Sequence, residues 1–310
     1  MSGFAVRTDL ALEVRESIDE EEQSLRGVEV EEYTYQKENI HVTKVRIDTK
    51  NAAKAMGKPM GIYVTMEAPN MTDEDEGFHK EISACMAKEL KGLLPKKEGE
   101  QSFLVVGLGN REVTADSLGP KVVDNLFITR HVIKTYGYAA YNRERMNQIS
   151  SIEPGVMAKT GMETAEIVKG IIGETTPDVI IAVDALASRS TKRLNRTIQI
   201  TDSGIWPGSG VGNHRNALTR ESLGIPVIAV GIPTVVDAAT IVGDAFEKLM
   251  EDESRKGNRF ECLKFWDQHH TLYSQLNNMY MTGKDIDAVI KRVSFTVSEG
   301  INMALEQVEE

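Results

Sequence analysis

The sequence predicts an α/β fold: a doubly wound, mostly parallel sheet with helices on both faces, an N-terminal β-hairpin extension and a helical C-terminal tail. Three observations carry this expectation. The apolar runs Phe103–Val106, Val179–Val183 and Ile225–Gly231 are nearly continuous, as strands buried on both faces are. Helix-period segments separate them, the alternation that builds parallel sheets. Two of the runs open into loops rich in turn-forming or acidic residues, where open sheets of this class bind their ligands.

Taken in order, residues 1 to about 26 form an acidic lead-in with a short helical pattern from Leu10. Val28–Tyr35 and Ile40–Ile47 alternate and are β-branched, which predicts a half-exposed hairpin around residues 36–39. Gly61–Met66 reads as a strand and Phe78–Leu93 as an amphipathic helix. The break Leu94–Glu98 leads into the Phe103 strand. A helix is expected near Asp116 or Pro120, another over Gly161–Ile172, then the Val179 strand, a helix over Ser188–Leu194 and a strand over Thr197–Ile200. After the Ile225 strand come helices over Val235–Met250, Phe260–Tyr280 and Asp285–Gln307. This organisation is one domain: an extension over about 10–100, a core over about 101–250 and a tail over about 251–310.

A chain of 310 residues, 41% hydrophobic and 27% charged, buries a substantial core. Its net charge of −11 argues against binding nucleic acid through phosphates, which needs a basic surface. The apolar runs are strand-sized and too short to span a membrane, and Met1–Arg7 has no signal-peptide core. The two cysteines, Cys85 and Cys262, stand far apart and outside any metal spacing, so they read as reduced structural thiols of a cytoplasmic protein.

The chemistry is expected on the strand ends. Gly107-Leu-Gly-Asn110 follows the first run, but the third glycine of a dinucleotide fingerprint is replaced by Glu112, so a tight turn out of the sheet is preferred. Asp116 follows that turn and reads either as a helix cap or as a functional acid. Asp184 directly follows five apolar residues, where a charge is costly unless paired, hydrated or useful. Together the two carboxylates can share a proton, one activating water and the other donating, or can bind a divalent metal through oxygen. The segment after Thr201 carries Gly208, Gly210 and Gly212 and ends on His214, a loop suited to pass close to a peptide. Asp237 reads as a helix-start residue, and His269 and His270 as packed or solvated tail residues.

Several of these blocks, in this order, resemble the germination protease of spore-forming bacteria: Val105–Asn110, Thr114–Pro120, Val183–Ala187, Thr201–Asn213 and Val230–Asp237, with Arg7–Ala11 near the start. The resemblance implies an endopeptidase that degrades small acid-soluble DNA-binding spore proteins at germination, in the cytoplasm of the forespore and the spore core. It implies a homotetrameric zymogen that removes its own propeptide by cutting after an acidic residue and before a large apolar residue followed by Ala. Asp9-Leu10-Ala11 fits that pattern, which makes Met1–Asp9 the propeptide and 10–310 the peptidase domain. Carried over, the catalytic aspartates are Asp116 and Asp184, in an aspartic-type mechanism unlike that of pepsin, with no cofactor, no metal, no direct nucleic acid and no membrane partner. A metal-dependent variant of that mechanism stays open, because His214 could complete an Asp-Asp-His set. The core is also similar to hydrogenase maturation endopeptidases, so a metal-sensing enzyme of that kind is the alternative. A ligand-binding α/β module using the Gly107 turn is the non-enzymatic alternative.

Overall fold

The structure is a computed structural model that describes residues 8–19, 26–141, 143, 145–207, 216–242, 245, 276 and 279–306. The elements run α1 (Ala11–Asp19), β1 (Val28–Tyr35), β2 (Ile40–Ile47), α2 (Lys50–Met56), β3 (Gly61–Glu67), α3 (Glu76–Leu93) and β4 (Ser102–Gly107). After a 3-10 turn at Thr114–Asp116 follow α4 (Leu118–Val123), α5 (Arg130–Tyr136), β5 (Gln148–Ile152), α6 (Met157–Thr160), α7 (Thr164–Thr175) and β6 (Val179–Ser188). The chain continues through β7 (Thr197–Thr201), α8 (Arg220–Leu223), β8 (Val227–Asp237), β9 (Tyr280–Met281) and α9 (Ile286–Leu305).

Among the described residues, nine strands form one sheet of order β1-β2-β3-β7-β8-β6-β4-β5, with β9 added on β8. It is mixed, where a mostly parallel sheet is expected. β5, β4, β6 and β8 are mutually parallel, with Phe103 opposite Val179 and Ile181 opposite Ile228. The pairs β1–β2, β2–β3, β3–β7 and β7–β8 are antiparallel. The reason is connectivity: β1 and β2 are joined by a short turn and can pair only antiparallel, and β3 and β7 carry that sense into the centre. The N-terminal hairpin is therefore the edge of the main sheet.

The parallel strands are apolar throughout because both faces are covered. Phe103 and Val105 of β4, with Val179, Ile181 and Val183 of β6, join the core under α3 and α9. Leu104 and Val106, with Ile180 and Ala182, join the opposite core with Ala165 and Val168 of α7. Each fully buried Val, Leu, Ile or Phe among them is worth ~1.5–3 kcal/mol, more than the ~1 kcal/mol span of strand propensities. Val289, Ile290, Val293, Val297 and Ile301 form one stripe of α9 facing Ile82, Met86 and Leu90 of α3. A third, smaller cluster joins Ala11 of α1 to Val45, Ile47, Ala52, Met56 and Tyr63.

Three expectations are corrected. Ser188–Leu194 is not a helix: β6 stays paired with β8 as far as Ser188 opposite Val236, and turns follow. Long-range pairing there overrides a helix-like local pattern. The helix expected from Val235 starts after Asp237 because β8 runs to that residue. Asp237 does act at a helix start, its Oδ1 accepting from Thr240 N at 2.8 Å. Tyr280, expected to end a tail helix, lies in β9, and residues 246–275 with Cys262, His269 and His270 lie outside the described residues. Cys85 is buried in α3, and burial pushes its thiol up to about 11, so it is an inert core group.

Candidate active site

A cavity of about 410 Å3 opens over the central strands. One wall comes from the parallel strands. Asp184 stands within β6, opposite Gly231 of β8, rather than at the strand's end. It is only 6% exposed, and its Oδ1 accepts from Ala185 N at 2.9 Å. Asp116 closes the 3-10 turn and is not a helix cap: Ser117 holds that position before α4. The carboxylate of Asp116 turns back instead, Oδ2 accepting from Asn110 N at 2.9 Å. Asp116 and Asp184 line the same cavity.

Glycines make that approach possible. Gly109 has φ +111°, and a Cβ there would lie 2.0 Å from the Asp116 carbonyl oxygen. Gly119, at the start of α4, sits on the two strand ends: a Cβ would meet Leu108 O at 2.3 Å, Leu108 N at 2.4 Å and Val183 O at 2.6 Å. Leu108 N donates to Val183 O at 2.8 Å in the same place, tying the exit of β4 to β6 immediately before Asp184. The Gly-Leu-Gly segment thus serves close backbone packing around the carboxylates. Thr234 of β8 adds a tie, its Oγ1 donating to Ala115 O at 2.6 Å.

The opposite wall comes from the antiparallel strands and the N-terminal segment. Lys58 and Pro59, between α2 and β3, line the cavity with Tyr63 of β3 and Gln199 of β7. Asp9 lies in the same cavity. Its N donates to Ala187 O at 2.9 Å, and its Oδ2 accepts from Ala187 N at 2.9 Å, so backbone and side chain dock on the end of β6. Leu10 and Ala11 are fully buried. Glu13 anchors the start of α1, accepting from Arg189 N at 2.7 Å and Ser190 N at 3.0 Å, with Arg193 3.6 Å away.

The ionisation of this wall is set by burial. Lys58 is half-buried, with its ammonium turned inward; desolvation holds its pKa below the ordinary lysine value, against the opposing pull of the Asp9 and Glu13 carboxylates. Burial pushes Tyr63 up to about 12, and its hydroxyl donates to Pro59 O at 2.9 Å, so it is a neutral phenol. The site therefore sets two carboxylates on one side of a cavity and an ammonium and an amide on the other, with an acidic-apolar peptide segment docked beside them.

A family model described as Germination protease matches residues 5–261. A germination protease of Caldanaerobacter subterraneus subsp. tengcongensis is 42% identical over 98% of this chain and 95% of its own length. Those of Clostridium perfringens and Bacillus mycoides are 43% and 37% identical, each over 98% of this chain and 96% and 95% of their own lengths. This chain belongs to the germination protease family. It is accordingly a member of a peptidase family, and these comparisons do not favour the hydrogenase-maturation alternative.

Of the residues expected from sequence in this germination protease family member, Asp116, Asp184, Asp9 and Leu10 are brought together: Leu10 is buried beside Asp9, and the three aspartates share the cavity. Gly208, Gly210, Gly212 and His214 lie outside the described residues. Among the described residues, no three His, Cys, Asp or Glu gather as a metal cluster, and no helix is long and apolar enough to cross a membrane. Sequence reasoning missed Lys58, Tyr63 and Gln199. Gln199 had a signal, a long polar amide inside the strand Thr197–Thr201, every residue of which is buried. Lys58 had none, since an isolated lysine after a helix reads as surface.

Proposed function

We propose that this chain is the endopeptidase that starts degradation of small acid-soluble, DNA-binding spore proteins at germination, made as a zymogen that cuts itself between Asp9 and Leu10. Asp116 and Asp184 act as an aspartic-type pair. One takes a proton from water as its oxygen attacks the Asp9 carbonyl carbon, and the other gives a proton to the departing Leu10 nitrogen. The observation that carries this reading is the presence of Asp9 in one cavity with both carboxylates.

The same placement supports the order acid, large apolar residue, Ala. Asp9 is read by Ala187 N, Leu10 is fully buried, and the Ala11 methyl is enclosed among Val45, Ile47, Ala52, Met56 and Tyr63. It also supports a zymogen restrained by occupation: Asp9, where a substrate's acidic residue would dock, already lines the cleft and is bonded to the end of β6. Residues 1–9 are the propeptide and 10–310 the peptidase domain. A homotetramer in the forespore and spore core, needing no cofactor, completes the reading, which rests on the family.

The test is the intact mass of the purified chain over time at mildly acidic pH, with and without a chelator. Loss of Met1–Asp9 that ignores chelator and disappears in Asp184→Asn is expected. Cleavage that persists at the wild-type rate in Asp184→Asn removes the site assignment, and cleavage blocked by chelator moves the chemistry to a metal. A pair sharing one proton also predicts faster self-cleavage as pH falls from neutral toward about 5–6. A flat rate over that range argues against the shared proton.

A further inference from the structure

The carbonyl oxygen of Asp9, on the bond read above as the one cut, accepts two side-chain hydrogen bonds. Lys58 Nζ lies 3.0 Å from it and Gln199 Nε2 also 3.0 Å. The orientation of the Gln199 amide follows from its second contact, because its Oε1 accepts from Ala11 N at 2.8 Å. Flipped, it would set oxygen against the Asp9 oxygen and NH2 against the Ala11 N–H, two repulsive contacts in place of two bonds. One side chain thus spans the bond, gripping the carbonyl before it and the amide beyond it. Lys58 makes a second bond, to Thr8 O at 3.2 Å.

Burial favours loss of the Lys58 charge and the Asp9 and Glu13 carboxylates oppose that only in part, so the ammonium is held at a cost with its hydrogen bonds aimed at two carbonyl oxygens. The same group is worth far more where negative charge develops on one of those oxygens, and fixed donors there need no reorganisation during reaction. Gln199 sits on the rigid strand β7, paired to β8 opposite Gly231, itself opposite Asp184 on β6. Gln199 and Asp184 are therefore held by one piece of sheet, and Lys58 reaches the same carbonyl from the connection before β3.

We infer that Lys58 and Gln199 are catalytic residues, an oxyanion-binding pair for the carbonyl of the acidic residue at the cut. This rests on the reading of Asp9–Leu10 as the self-cleaved bond. As the water oxygen bonds to the Asp9 carbonyl carbon, the carbonyl π pair moves onto oxygen between Lys58 Nζ and Gln199 Nε2, and the water proton goes to one aspartate. When the carbonyl re-forms, the C–N bond breaks and the Leu10 nitrogen takes a proton from the other aspartate. Lys58 and Gln199 donate hydrogen bonds throughout and give up no proton. The pair treats the carbonyl of an acidic residue in a protein substrate in the same way, which couples Lys58 to both the charge and the reacting group of that residue.

The test uses the full chain, comparing wild type, Lys58→Met, Lys58→Arg and Gln199→Met. Release of Met1–Asp9 is followed by intact mass, and docking of the segment by hydrogen exchange at the Asp9 and Ala11 amides. Lys58→Met is expected to slow release about 100-fold with amide protection retained, and Lys58→Arg to recover most of the rate. Wild-type speed in Lys58→Met, or a loss of rate matched by loss of protection, overturns the oxyanion role, the second making Lys58 a docking residue only. Gln199→Met decides the same question if Lys58→Met does not unfold cooperatively, with a rate loss of at least about 10-fold expected and an unchanged rate overturning the pair. A wild type that never releases Met1–Asp9 overturns the self-cleavage reading itself, a result distinct from a wild type that cuts while its variants cut equally fast.

Discussion

The two walls of the cleft are built differently. The parallel wall presents carboxylates from positions locked by backbone: Asp184 within β6, and Asp116 in a turn closed on Gly109 and Gly119. The antiparallel wall presents donors and recognition groups on long side chains, Lys58 and Gln199, each reaching a carbonyl of the N-terminal segment. One wall is set by main-chain packing; the other is set by the paired bonds its side chains make, Gln199 to Asp9 O and Ala11 N and Lys58 to Thr8 O and Asp9 O. The difference suits the proposed division of labour, with acid–base groups on one wall and the groups that hold the peptide carbonyl on the other.

The sharpest way to break this comparison is at the carboxylates. Asp116→Asn and Asp184→Asn are each expected to lower self-cleavage by roughly 1000-fold, with the double variant little worse, because paired groups acting as a unit are not additive. Losses that multiply across the double variant would show two independent roles. Next in size is Gly119→Ala. The new methyl meets backbone of Leu108 and Val183, which cannot swing away, so we expect about 1–3 kcal/mol of lost stability in denaturant unfolding together with loss of cleavage. An unaffected enzyme would mean that the parallel wall is less tightly set than its contacts imply.

The antiparallel edge away from the cleft gives a contrast in stability alone. Glu89 of α3 is buried and accepts from Tyr33 Oη at 2.6 Å, Tyr35 Oη at 2.5 Å and Lys44 Nζ at 2.9 Å. Burial raises its pKa, but these partners outweigh that and hold it below the ordinary value of 4.5. A lowered folded pKa gives stability that is fully present above the unfolded value and is lost as pH falls through the folded one. Glu89→Gln is thus expected to cost about 2 kcal/mol near neutral pH, with the gap from wild type closing as pH falls below about 4.5, and to leave cleavage intact. A gap that does not change with pH would show packing rather than charge. The smallest effect belongs to Arg111, beside the Asp116 turn, whose guanidinium pairs with Asp124 at 2.8 Å and Glu153 at 2.5 Å on an exposed surface. Arg111→Ala is expected to change stability by only about 0.5 kcal/mol and cleavage little, because glycine packing rather than surface charge sets that turn. A large loss of cleavage would reverse that ranking.

Much of the parallel half was legible because its signals are local. The runs at Phe103 and Val179 became β4 and β6, and Asp116 and Asp184 reached one cavity. The hairpin strands matched their alternating pattern, and α3 and α9 their apolar stripes. What failed depended on pairing at a distance. β6 and β8 outran their apolar runs because each supports the other, displacing a helix expected at Ser188 and delaying one at Val235. The edge strand β5 and the short helices α2 and α5 went unnoticed, being too short for periodicity to register.

By itself, the sequence determined the buried strands, the acidic residues that follow them and the acid-apolar-Ala segment at the start, because hydrophobic period and motif order are written residue by residue. Only the tertiary structure decided that the sheet is mixed and that Asp184 lies inside a strand. It alone brought Lys58 and Gln199, from separate elements, onto the carbonyl of Asp9. The physical reason is that a side chain's partner across the sheet is fixed by strand order and register, which are properties of the whole chain and of no single stretch of it.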